Sequence, residues 1–299
     1  MPSGKRARAQ RREAAAPPPV RSKGGPGLGA RQASPRALAI AGGVILLVIL
    51  AVVLAVVLSK GSSNSSSPGK CDGSGDGETL CIATGTPAVG NSSSPSALAH
   101  AADAAAMFKD IPQKGFVLGN LNAPVTLVEY VDYQCPVCQT FETTELPELI
   151  TKYVRPGKLK IEMKPWNILD RGHGSNDSLR GQKAVVAAAQ QNKAFEFAQV
   201  LYDNQGIEGT NWMNDAMISN IAASVDGLDT SRFVVDANSA ATAKLIREID
   251  TYANAQRTFA GTPTLLLGQG IAPPKYYGTG SPAMDLANLE PAIDGLLKK

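Results

Sequence analysis

Cys135 and Cys138 stand two residues apart in the sequence Cys135-Pro136-Val137-Cys138. At that spacing one thiol can attack a disulfide in another molecule, and the second can then resolve the mixed disulfide from within and free the partner. The flanks sharpen the reading. VTLVEYVDYQ before the pair is apolar and β-branched, as a buried strand is, and QTFETTELPELITKY after it repeats apolar residues at helical spacing. The pair is therefore expected at a strand-to-helix junction, where unsatisfied N–H groups and the positive end of the helix dipole favour a thiolate at Cys135 and lower its pKa. Pro136 fits the first helical turn without costing a hydrogen bond, and Cys138 lies one turn further in. Metal sites and inert disulfides share this spacing, but the strand before and the helix after favour redox chemistry. A four-thiolate zinc site would use two short-spaced pairs. Cys71 and Cys81, the other two cysteines, have nine residues between them in a Gly-rich stretch, so no metal is expected.

Two features elsewhere bear on the pair. Phe259-Ala260-Gly261-Thr262-Pro263-Thr264-Leu265-Leu266-Leu267-Gly268 sets a proline at the start of an apolar strand. Such a proline invites a cis bond, or is a plain edge-strand or turn residue, and the local sequence leaves both open. Glu129 stands six residues before Cys135 on the expected strand. Buried, its carboxyl would have a raised pKa and could act as a base; facing outward, it would be an ordinary strand residue. Alternation decides neither this nor whether Lys160 or Lys164 would pair with it.

The large-side-chain core is expected to begin near residue 107, because all 7 Phe, 7 Tyr and 2 Trp lie after Ala106. With 43% hydrophobic and 18% charged residues, the chain is neither disordered throughout nor collagen-like. Its net charge of +3 is uneven: residues 1–36 hold nine basic side chains against Glu13, which leaves the remainder net acidic. Nucleic-acid binding by the folded part therefore lacks the basic surface that displaces counterions from phosphates. Residues 37–58, ALAIAGGVILLVILAVVLAVVL, run 22 residues without a charge. That is long enough for one helix to cross a bilayer, and longer than the apolar stretch of about 7–15 residues in a cleaved signal peptide. Basic residues before it place the N-terminus in the cytoplasm, so everything after it is exported.

The expected organisation is a basic disordered cytoplasmic tail (1–36), a transmembrane helix (37–58), a Ser/Gly/Pro-rich exported tether carrying Cys71 and Cys81 (59–106), and one α/β domain (107–299). Within that domain, apolar residues recur at helical spacing over about 175–258. In an oxidising compartment Cys71 and Cys81 can close a structural disulfide loop, or exchange electrons with Cys135 and Cys138; the sequence leaves both open. No repeat or dimerisation module is evident, so a monomer is expected.

From about Phe116 to the C-terminus the chain resembles the DsbA-like branch of the thioredoxin superfamily, the thiol:disulfide oxidoreductases of bacterial cell envelopes. The resemblance rests on LGNLNAPVTLVEYVDYQCPVC, on a following helix with an internal Pro147, on KAFEFAQVLYDNQ and on GTPTLLLG. It implies a thioredoxin fold with a helical insertion. Cys135 would be the attacking cysteine and Cys138 the resolving one, Thr262-Pro263 a cis-proline loop, and Pro136, Val137, Thr262 and Pro263 the substrate-facing residues, with Glu129 a buried acid that helps proton transfer. It further implies disulfide introduction into exported cysteine-containing proteins without any cofactor, and a membrane quinone-linked thiol oxidase of the DsbB or vitamin K epoxide reductase type as the reoxidising partner. Enzymes of this kind usually carry His where Val137 stands; loss of that imidazole predicts a less acidic Cys135 and a less oxidising disulfide than in the strongest members. The competing readings are a disulfide isomerase or reductase of the envelope, and a non-enzymatic thioredoxin-fold chaperone or assembly module.

Overall fold

The computed structural model describes residues 78–298. Its central strand is the apolar run before the cysteines: β3 (Val125–Val131) is buried at every position, as a strand covered on both faces must be. It pairs in parallel with β4 (Leu159–Pro165) and antiparallel with β5 (Thr264–Gln269), and Glu129 lies opposite Met163 on one side and Leu265 on the other. β1 (Gln113–Lys114), β2 (Val117–Leu118) and β6 (Lys275–Thr279) complete a sheet of order β1-β2-β4-β3-β5-β6.

A parallel pair needs a crossover, and here it carries the cysteines. α2 (Pro136–Thr140) continues through a π-type turn (Phe141–Glu145), a short α segment α3 (Leu146–Leu149) and a second π-type turn (Ile150–Val154) before the chain returns as β4. Leu127 and Val131 of β3 point into the main core with Phe141, Leu146, Leu149 and Leu265. Val128 and Tyr130 point the other way, into a smaller cluster with Trp166, Ile249, Ala253 and Leu266.

The helical insertion runs through α4 (Asp170–His173), α5 (Asp177–Ala189), α6 (Ala194–Asp203), α7 (Asp215–Ala223), α8 (Thr230–Ala237) and α9 (Ala240–Ala255). Asn214, Asp229 and Ser239 cap α7, α8 and α9 by accepting the N–H of Met217, Arg232 and Thr242. A C-terminal helix, α10 (Leu286–Leu297), buries Leu289 and Ile293 and accepts a hydrogen bond on Asp294 from the Tyr153 hydroxyl.

The packed unit reaches further back than residue 107, which corrects the expected tether boundary. α1 (Ala101–Phe108) buries Ala101, Ala104 and Phe108, and the Phe108 ring meets that of Phe195 at 6.0 Å. Before it, Leu80 is 1% exposed. Its backbone is bracketed by Asn238, which accepts from Leu80 N at 2.9 Å and donates to Leu80 O at 2.7 Å. Gly90 N donates to Leu228 O at 2.9 Å, and a Cβ at Gly90 would come within 2.2 Å of Val225 O, so only glycine permits this approach. The aromatic count overlooked the segment because alanines, a glycine and side-chain-to-backbone hydrogen bonds hold it. The expected tail, the apolar segment 37–58 and Cys71 lie outside the described residues; among the described residues no helix is long and apolar enough to cross a membrane.

Leu80→Ala should lower the free energy of unfolding by about 2–5 kcal/mol, the range for truncating a buried leucine. The urea denaturation midpoint measures it, and a tether residue would leave that midpoint where it was.

Candidate active site

The sheet delivers Cys135 to the end of β3 through Asp132-Tyr133-Gln134, and this short link is anchored at each residue. Asp132 is buried, and its carboxylate accepts from the Ser178 hydroxyl at 2.6 and 2.8 Å and from the N–H groups of Ile168, Leu169 and Gln134. Burial raises its pKa to about 6 against those donors. Gln134, also buried, donates to Asp170 at 2.8 Å and Ser178 at 2.6 Å. The Tyr133 hydroxyl donates to the Met163 sulfur at 3.1 Å.

Cys135 is the N-cap residue of α2 and Pro136 occupies the first turn, as the spacing predicts. Cys135 and Cys138 are both reduced thiols and both buried, at 6% and 0% exposure. Pro136 and Val137 between them face solvent. The Cys135 Sγ lies 3.5 Å from the carbonyl oxygen of Thr262, and Thr262-Pro263 is a cis peptide. Gly280 N donates to Pro263 O at 2.8 Å and the Thr264 hydroxyl to Gly261 O at 2.6 Å, which holds the proline loop over the sulfur. The structure thus brings Cys135, Cys138, Pro136, Val137, Thr262 and Pro263 into one site.

The two sulfurs are chemically unequal. The Cys135 pKa is lowered to about 6, chiefly by a hydrogen bond from the Cys138 thiol, with Thr262 and the N–H groups of Cys138 and Val137 adding to it against burial. Burial pushes the Cys138 thiol well up, and its bond to Cys135 holds the proton there. Glu129, on β3 six residues before Cys135, is fully buried because both faces of the strand are covered, with neither carboxylate oxygen hydrogen-bonded to a described residue. Burial raises its pKa to about 8. Neither candidate lysine meets it: Lys160 donates to Leu121 O, and Lys164 pairs with Glu162.

A second acid escaped the sequence reading. Glu142, seven residues after Cys135 and so about two helical turns along, is 1% exposed. Burial first, then the charge of Glu129, raises its pKa. The available signal was that spacing, which puts a carboxyl on the cysteine face of the helix. The arrangement supplies a thiolate-favouring sulfur next to the exposed Pro136 and Val137, a protonated thiol one helical turn further in, and two buried carboxyls that favour the protonated form. Among the described residues no cluster of His, Cys, Asp and Glu is suited to a metal.

Alkylation of the reduced protein should label Cys135 with a midpoint at about pH 6 and leave Cys138 unreacted; a midpoint near 9.0, the ordinary thiol value, would contradict the site. Glu129 binds its proton more tightly folded than unfolded, with a pKa of about 8 against the usual 4.5. The stability this contributes is complete below 4.5 and is lost as the pH rises through about 8. Glu129→Gln should therefore flatten the decline of the thermal midpoint across that window, which scanning calorimetry at several pH values would record.

The thioredoxin family model matches residues 112–280. The probable disulfide bond formation protein D of Bacillus anthracis is 26% identical over 185 residues, 61% of this chain and 78% of that protein. Disulfide bond formation protein D of Bacillus subtilis is 23% identical over 155 residues, 52% of this chain and 68% of that one. In fold the chain is similar to oxidised BdbD of Bacillus subtilis, with a TM-score of 0.52 at 20% identity over 64% of this chain and 100% of that one. It is also similar to alpha-DsbA1 of Wolbachia pipientis, with a TM-score of 0.50 at 18% identity over 64% and 92%. The matched span includes Cys135, Cys138, Thr262 and Pro263, and covers more than half of the sequence: the chain belongs to the thioredoxin family.

Proposed function

We propose that this thiol–disulfide oxidoreductase introduces disulfides into exported cysteine-containing proteins, held at the cell membrane by residues 37–58 with the N-terminus in the cytoplasm. The observation that carries the reading is the inequality of the two sulfurs: Cys135 favours thiolate beside the Thr262-Pro263 loop, and Cys138 favours thiol behind it. A stabilised thiolate is a good leaving group and stabilises the reduced enzyme, so electrons flow from substrate to enzyme. The relatives named for disulfide bond formation support the same direction.

The reaction follows from the site. A substrate thiolate attacks Cys135 Sγ of the Cys135–Cys138 disulfide; the intramolecular S–S bond breaks, and Cys138 leaves as a thiolate that takes up a proton. Its raised pKa makes that proton necessary, and Glu129 or Glu142 can deliver it from within the core. A second substrate thiolate then attacks the substrate sulfur of the mixed disulfide, and Cys135 departs as a thiolate. Two electrons pass from the substrate dithiol to the enzyme. A membrane quinone-linked thiol oxidase of the DsbB or vitamin K epoxide reductase type would return the pair to its disulfide. Thr262, Pro263, Pro136 and Val137 would bear the substrate backbone, and with Val137 in place of an imidazole the disulfide would oxidise less strongly than those of the most acidic members.

Cys138→Ala expressed in intact cells should accumulate mixed disulfides on Cys135 with exported proteins, released by dithiothreitol. Equilibration with a glutathione buffer should give a reduced-favoured pair. Full activity in Cys135→Ser would favour the non-enzymatic reading, and a predominantly reduced Cys135 in cells the isomerase or reductase reading.

A further inference from the structure

The nucleophile is also gripped from the helical insertion. After α6 the chain turns through Gln205, whose side-chain Nε2 donates to the carbonyl of Tyr133 at 2.9 Å and to the carbonyl of Cys135 itself at 3.3 Å. Four residues later Gly209 N donates to Gln134 Oε1 at 2.9 Å. Gln139, on α2, donates from Nε2 to Tyr202 O at 2.7 Å, and Gln205 N donates to the same oxygen at 3.2 Å. Residues 133, 134, 135 and 139 are thus each tied to the segment 202–209. The loop itself is seated on an aromatic ring, since a Cβ at Gly206 would fall within 2.5 Å of Trp212 Cγ.

We propose that Gln205 is a positioning residue for Cys135: its amide bridges the carbonyls on either side of Gln134 and so holds the peptide of the attacking cysteine in the orientation that presents Sγ to the N–H groups of Val137 and Cys138. Two physical effects act together. Cys135 leads from extended backbone into a helix, with φ −75° and ψ 119°, and a residue at such a junction has no strand partner to fix its carbonyl; Gln139 N at 3.0 Å and the Gln205 amide do so instead. Carbonyl oxygens also carry partial negative charge, and the amide hydrogens of Gln205 neutralise two of them beside a sulfur that must itself become negative. The groups that titrate around this corner are Cys138, Asp132, Tyr133 and Tyr202, with Glu129 and Glu142 acting on the tyrosines, and each is retained in the variants at position 205.

The inference rests on Cys135 being the reactive thiol, and the test separates the two. Wild-type labelling at Cys135 rather than Cys138 checks the reading beneath it. Gln205→Met, equal in length but without a donor, should raise the alkylation midpoint by about one unit, a roughly tenfold loss of preference for the thiolate. The rate on the alkaline plateau should stay at the wild-type value. Gln205→Asn, whose amide falls short of both carbonyls, should match the Met variant and decides the matter if Gln205→Met fails to fold. Gln205→Lys restores a donor and should return the midpoint to the wild-type value or below. A merely structural role would shift the denaturation midpoint equally in all three variants and leave the alkylation midpoint unmoved; that outcome, or a Lys variant sharing the rise, would overturn the proposal.

Discussion

The Cys135 sulfur accepts hydrogen bonds from the Cys138 thiol and from two backbone N–H groups at the start of α2, while Cys138, three residues on, is sealed from water. Neither environment is a property of cysteine. The first requires a helix to begin at that residue, beside the exposed Pro136 and Val137; the second requires the next turn of the same helix to sink into the core. The junction of β3 with α2 meets both demands, because a strand buried on both faces ends at the edge of the sheet and the following helix crosses back over it. Charge is thereby made easy at one sulfur and difficult at its neighbour, and this difference lets a disulfide open in one direction.

The same burial governs protons. Glu129 is neutralised by the strand that carries it, since every residue of β3 is covered and period-two alternation puts Glu129 on the main-core side with Leu127 and Val131. Glu142 comes to the same core from the helix. Two like carboxyls so placed resist ionising together, and a site that must protonate a departing buried thiolate gains a local store.

Much of this was legible in residue types alone. Cys135-Pro136-Val137-Cys138 between an apolar β-branched run and a helical pattern located the junction, and the proline before Thr264-Leu265-Leu266-Leu267 located the loop that closes over it. The insertion expected over about 175–258 is observed from Asp170 to Ala255. What local pattern does not carry is sidedness and distance. Whether Glu129 was covered depended on β5 and α10, which arrive more than 130 residues later in the chain. Gln205 acts through backbone carbonyls, which any sequence possesses, so nothing in its neighbourhood marks it. Residues 78–106 lacked bulky side chains and looked like a spacer, yet Leu80, Ala101 and Ala104 belong to the main core.

That early segment has a mechanical corollary. Cys81 N bonds to Asp215 and Ala83 N to the Ser219 hydroxyl on α7, while Leu80 is clasped by Asn238 at the end of α8. Tension drawn through the chain from its N-terminal side therefore loads the insertion first. The hydrogen bonds at residues 80–83 are thus made to the insertion, and β3 with Glu129 follows only later in the chain.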